Sequence, residues 1–341
     1  MKVNFSAPVI AAGFLLTANV CLSQSIDSIP NRDGLLKRDS LPKKVMALVT
    51  DRFPSTRLLH LEYSQLAPYR YTATPSNDHS KNKVSNQSMV KATVNLNFVR
   101  KPHWMLGATL NYRYIATTAE TVGIPAAGDN AAKEDFHYHN SAINALYFSK
   151  LFGKRAIYSG SLIVDGSEQH FERLKGRLSA TLLLKANAQT KIMAGLLVNI
   201  DPSSNIPAMP IFSYEHRFAN GLMADILLPQ RILLKKDVFK NGRFSLGTEM
   251  GQNNFYLYRS DSTAGKYEFR QTELNSGFTY EQLMGQSLSF FIKTGIKTSL
   301  NARQFRKNDR VNEYVLNAKP NGALYVSAGL SINPFWKPRK K

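Results

Sequence analysis

A period-two alternation of apolar and polar residues, held in phase over long stretches, constrains this chain more than any other feature. Val90, Ala92, Val94, Leu96 and Phe98 share one face, and Lys91, Thr93, Asn95 and Asn97 the other. From Trp104 to Tyr114 the pattern recurs, with Trp104, Leu106, Ala108, Leu110, Tyr112 and Tyr114 opposed to Gly107, Thr109, Asn111 and Arg113. Side chains on a β-strand alternate between its two faces, so each segment is a strand with one apolar and one wet side. Segments of this kind recur near 56–66, 89–100, 103–116, 139–151, 155–165, 174–187, 190–200, 208–218, 221–229, 231–239, 243–252, 266–282, 286–299 and 322–333.

Most of these segments run ten residues or more, whereas strands of a soluble β-sandwich are typically about five or six residues long. Crossing the hydrocarbon takes about nine to eleven tilted residues. No internal run reaches the roughly 20 apolar residues of a spanning helix, and the mean hydropathy is only −0.27. A closed barrel pairs every backbone group internally while placing a polar residue at every second position. The fold class expected is all-β, an antiparallel transmembrane β-barrel of fourteen strands.

The connections support this. Arg100-Lys101-Pro102, Phe152-Gly153-Lys154, Ala188-Gln189, Ala219-Asn220, Lys240-Asn241-Gly242 and Met284-Gly285 are short turn signals,. Longer polar stretches at 67–88, 117–138, 166–173, 201–207, 253–265 and 300–321 alternate with them. Short periplasmic turns and long external loops belong to outer-membrane barrels. Pro229-Gln230 falls where a long loop is due. If that proline only bends one strand, the count becomes twelve.

Lys2 and the apolar run Phe5 to Ala18 precede Cys21-Leu22-Ser23, a secretory signal with cleavage expected after Ser23,. Lipidation of Cys21 is the alternative, disfavoured by the bulky Val20 before it. Cys21 is the only cysteine, so the mature chain is expected to lack thiols, disulfides and Cys-based metal sites,. The expected organisation is a signal peptide over 1–23, a periplasmic arm over 24–55 too short to be a plug domain, the barrel over 56–335 and a basic tail over 336–341.

The segment Pro210-Ile211-Phe212-Ser213-Tyr214-Glu215-His216-Arg217-Phe218, followed by Asn220-Gly221 and Leu227-Leu228-Pro229, resembles a motif of outer-membrane barrel families of unknown function from Gram-negative bacteria. The resemblance implies a barrel over about 55–335 and carries no activity and no functional residue. The chain departs from the usual pattern at its C-terminus: Pro334-Phe335-Trp336-Lys337-Pro338-Arg339-Lys340-Lys341 follows the last strand in place of a terminal aromatic.

The chain carries 44 Lys and Arg against 24 Asp and Glu, a formal charge of +20. The basic residues are scattered singly, with no zinc spacing and no RNA-binding aromatic motif, so nucleic acid is not an expected partner. Anionic lipid headgroups, lipopolysaccharide and small anionic solutes are, together with the barrel-assembly machinery. Oligomeric state is left open, and no cofactor is expected.

With the apolar phase toward lipid, the opposite phase lines the lumen: Lys91, Arg113, Lys175, Arg177, Lys185, Lys191, Arg217, Arg243, Lys293 and Lys297 against Glu215, Asp225, Glu249, Glu273 and Glu281. Cations concentrate near 174–191 and 286–299 and acids between them, which would set a field across the pore and favour anions. The plainer reading is that these residues pair with one another and fill the barrel.

His139 and Ser141 share a strand face and are the only fragment resembling an acyl-transfer site, with Asp165 the nearest acid in sequence to orient the base,. Without a third member nearby, catalysis is not expected. His137 and His139, after Glu134 and Asp135, have a spacing that suits zinc or copper; a polar loop entering a strand explains them equally. His216 reads as an aromatic-belt residue, and His60, His103 and His170 stand alone. Trp104, Tyr112, Tyr114, Phe148, Phe152, Phe212, Tyr214, Phe218, Tyr280 and Phe335 lie near strand ends, where outward-facing rings form interfacial belts,. The functional reading is a passive channel or transport protein for small solutes, anionic ones preferred, against a non-conducting structural or surface-binding barrel whose loops bind lipopolysaccharide or a macromolecule and, last, a lipid-modifying hydrolase.

Overall fold

In a computed structural model, residues 46, 47, 49–74, 81–122, 131–204, 206–258 and 265–334 are described. The expected signal peptide, most of the arm, Phe335 and the basic tail lie outside them. The strands are β1 Leu59–Leu66, β2 Tyr69–Thr74, β3 Lys81–Arg100, β4 Trp104–Val122, β5 Ala131–Leu151, β6 Lys154–Gly166, β7 Phe171–Ala186 and β8 Thr190–Ile200. They continue with β9 Ala208–Arg217, β10 Leu222–Leu228, β11 Arg231–Val238, β12 Gly242–Tyr258, β13 Lys266–Met284, β14 Leu288–Arg306, β15 Tyr314–Pro320 and β16 Ala323–Ile332.

β1 and β2 both pair with β3 and form one stave interrupted at Ala67-Pro68. β15 and β16 both pair with β14 and form the last stave. The first and last staves pair with each other, Leu59 opposite Ile332 and Ala73 opposite Ala318, which closes an antiparallel barrel of fourteen strands. Pro229-Gln230 is a true turn between β10 and β11, so the fourteen-strand count holds over twelve.

The six short turn signals all fall at one end, called here the short-turn end. Phe152 and Gly153 both have positive φ, as a two-residue hairpin matched to strand twist requires,. The apolar phase faces outward: Phe98 is 63% exposed, and Leu96, Ile143, Leu162, Leu178, Phe278 and Leu324 stand out with it. An apolar belt of this extent round a closed barrel is the surface that lipid covers.

The stretches 67–88, 117–138 and 300–321, expected as loops, are largely strand. β3, β4, β5 and β14 extend through their described parts, so the wall on that side rises well past the belt. Beyond lipid both faces are wet, and the alternation that marks a strand in sequence disappears while backbone pairing continues. On the other side the wall is low. β10 and β11 have only 7 and 8 residues, fewer than the nine to eleven that span hydrocarbon,. β12 therefore pairs with β11 only up to Glu249 and beyond it with β13 alone.

Gly247, Gly277 and Gly295 stand in register across β12, β13 and β14. A Cβ on Gly277 would collide with Thr294 O and the Gly295 Cα, and one on Gly295 with Ser276 O and the Gly277 Cα. Only glycine lets these three backbones curve so closely.

Candidate functional site

The lumen holds a chamber of about 340 Å³. Eight cations line it, Arg52, Lys91, Arg113, Arg231, Lys235, Arg243, Lys293 and Lys297, against four acids, Asp51, Glu62, Glu249 and Glu281. Alternation along each strand delivers these groups inward while their sequence neighbours meet lipid.

Its floor is made of residues expected in the periplasmic arm, joined by Thr56 and Arg57 from the start of the expected first strand. Residues 46, 47 and 49–52 are helical and Pro54–Thr56 forms a 3-10 turn. Met46 packs on Met105 and Phe148. Arg52 bonds Asp225, with Nε donating at 2.7 Å, and Ser213 at 2.6 Å. Arg57 pairs with Glu281 and donates to Ser289 Oγ at 2.8 Å. Asp51 accepts from Arg243 at 3.1 Å, and the Arg231 guanidinium lies 4.3 Å from the Phe53 ring centroid. Met105, Phe148, Arg243, Glu281 and Ser289 adjoin the short turns, so this segment crosses the barrel mouth at that end. Each arginine of the segment finds a buried acid on the wall, Arg52 at Asp225 and Arg57 at Glu281. Phe148, expected to point outward in an aromatic belt, is instead 2% exposed and faces the lumen, since its strand neighbour Tyr147 takes the outer position beside Trp104.

At the opposite end the walls meet. Asp165 of β6 accepts from Tyr138 of β5 at 2.8 Å and from Tyr256 of β12 at 3.1 Å, and Lys175 pairs with it. Phe136, Phe255 and Phe269 stack across the lumen with centroids 4.1 and 4.8 Å apart. Glu268 of β13 holds Arg173 at 2.7 Å and Arg270 at 2.6 Å, and Glu172 holds Lys266 at 3.1 Å and Lys307 at 2.6 Å. Ser203, in the loop after β8, accepts from Arg173 and Arg270. Burial works to raise the Asp201 carboxyl in that loop. Lys175, the Ser203 hydrogen bonds and Arg270 outweigh burial and hold it below the ordinary aspartate value.

The expected segregation of charge across the pore gives way to local pairing. Asp225, 1% exposed, is shared by Arg52, Arg231 at 2.8 Å and Lys235 at 2.6 Å. Lys297 pairs with Glu273 at 2.9 Å, Lys191 with Glu215 at 2.6 Å, Lys293 with Glu62 at 3.5 Å, Arg217 with Asp237 at 3.5 Å and Arg231 with Glu249 at 3.8 Å. Arg177 donates to Asn199. Lys185 stands apart: a register shift after Leu183 pairs it with Ile192, on the outward phase. Sequence reasoning passed over Glu62, Arg231 and Lys235, although the alternation of β1 and β11 marks them as inward. Arg52 and Arg57 carried no such signal.

His139 and Asp165 occupy opposite faces. Asp165 lies in register with Asn140, turned inward, while the His139 ring meets Phe171 edge-on at 5.2 Å. The His139, Ser141 and Asp165 constellation is therefore not assembled. His137 meets the Tyr112 hydroxyl at 2.7 Å and an Asp135 carboxylate oxygen at 3.5 Å, and His216 meets Thr190 at 2.8 Å. Among the described residues no three His, Cys, Asp or Glu side chains converge as metal ligands.

No family model matches the chain, and a search of curated proteins finds no match. Among solved structures, the chain is similar to the transport unit of the autotransporter AIDA-I from Escherichia coli, at 10% identity and a TM-score of 0.31 over 87% of this chain and 98% of that one. An outer membrane channel from Pseudomonas putida F1 aligns at 10% identity and a TM-score of 0.32, over 80% and 94%. The outer membrane protease OmpT from Escherichia coli aligns at 9% and 0.28, over 80% and 96%.

Proposed function

We propose that this barrel sits in the outer membrane of a Gram-negative bacterium and passes small anions through a lumen that is closed at rest. The carrying observation is the chamber, whose lining has twice as many cations as acids. In a narrow chamber with low-dielectric walls such an excess raises the local concentration of anions and repels cations. The ion-paired segment around Arg52 and Arg57 is the element that has to yield at the short-turn end.

The full chain in planar bilayers tests this. Wild type is expected to open rarely, and Arg52→Ala with Arg57→Ala to open often, with a reversal potential favouring chloride over potassium. Silence from both proteins would overturn the transport reading. It would favour a non-conducting structural or surface-binding barrel, which the aromatic, hydrogen-bond and ion-pair contacts across the long-loop end support.

A further inference from the structure

Lys91 of β3 and Arg113 of β4 are directly in register, and both line the chamber. Like charges facing each other across two strands destabilise a sheet, and every other cation lining this chamber is relieved by an acid. Lys293 and His60 hold Glu62, which is the register partner of Lys91 on its other side. Arg113 has Tyr138 as its other register partner, with the guanidinium 5.8 Å from that ring. Neither Lys91 nor Arg113 has an acid within ion-pair distance among the described residues, and the buried Nε of Arg113 has no hydrogen-bond partner. Two adjacent inward cations, one with an orphaned donor, leave a place that a negative group completes.

We infer that Lys91 and Arg113 form a binding site for a small free oxyanion, a carboxylate or phosphate group held between the ammonium and the guanidinium. A guanidinium presents a planar fork that fits two oxygens of one such group, and the ammonium supplies a compact charge to a third contact. Thr93 and Asn111, hydrogen-bonded to each other at 2.8 Å, stand beside the pair in the same chamber and offer polar atoms to the rest of the ligand. The inference deepens the transport reading and rests on its premise that solutes reach the chamber.

The test uses the full chain folded in an uncharged detergent and titrated with inorganic phosphate at constant ionic strength, followed by calorimetry. Wild type is expected to bind saturably. Lys91→Gln and Arg113→Gln are each expected to weaken binding by about tenfold or more, while Lys154→Gln, exposed at a short turn, leaves it unchanged. Thermal unfolding of wild type adds a readout that needs no variant: phosphate should raise the midpoint, and chloride at equal ionic strength should not. Without phosphate, both Gln variants should unfold no earlier than wild type, because each removes a like-charge contact. Absence of saturable binding or of the phosphate-specific midpoint shift overturns the site, as does undiminished binding by the Gln variants. Silent bilayers with intact phosphate binding would refute transport alone, and anion-selective pores without phosphate binding would refute this site alone.

Discussion

Asp225 shows how a single carboxylate organises the interior of a barrel. It is buried among Arg52, Arg231 and Lys235, and it ties the N-terminal segment to the wall at β10. Replacing one partner of a buried ionic cluster leaves the others uncompensated, at a cost of about 3–5 kcal/mol. Asp225→Asn is therefore expected to lower the urea unfolding midpoint and to expose the bond after Arg52 to trypsin while the barrel stays folded; a chain as protease-resistant as wild type would contradict this. Asp201 gives a pH dependence of known sign. Its carboxyl is held below the unfolded value of 3.8, so its contribution to anchoring the 201–207 loop is complete above that value,. It is lost as pH falls through the lower folded value. Protection of that loop against hydrogen exchange, corrected for the intrinsic pH dependence of amide exchange, should be high at neutral pH and fall at pH below about 3.8, and protection unchanged down to low pH would refute the assignment.

At the scale of elements, the glycine row across β12, β13 and β14 sets the curvature of the barrel on the side where β16 closes it. Because the atoms a new methyl would strike at Gly277 are backbone, relief requires the strands to separate. Gly277→Ala is expected to destabilise the barrel by about 1–3 kcal/mol, read as an earlier loss of the fast-migrating folded band when the sample is heated before SDS electrophoresis. Unchanged heat stability would show that the strands part easily there. Element lengths were less legible than element phases. β3 and β5 begin 8 residues earlier than the alternation indicates, since segments such as Lys81-Asn82-Lys83 and Lys133-Glu134-Asp135 are polar on both faces. They are strands because a neighbour pairs with them, which no local pattern records.

For the whole molecule, two different physical agents shaped what could be read. Lipid imposes a local rule, an apolar side chain at every second position, and that rule is written in consecutive residues such as Trp104 to Tyr114. From it the chain's own sequence determined the barrel class, the short-turn end and the inward phase of residues such as Lys91, Arg113 and Asp225, while the choice of fourteen strands over twelve fell to the turn at Pro229-Gln230. The lumen obeys a different rule, that each buried charge finds a partner, and partners are chosen by register, shear and closure. Arg52 and Asp225 are 173 residues apart, and Arg57 and Glu281 are 224. Only the tertiary structure decided that the segment before the first strand crosses the barrel mouth, that β5 and β12 meet across the lumen, and that Lys91 and Arg113, among the described residues, are the chamber's cations with no acid within ion-pair distance. Covalent neighbours fix which way a side chain points, and the closed barrel fixes what it meets there.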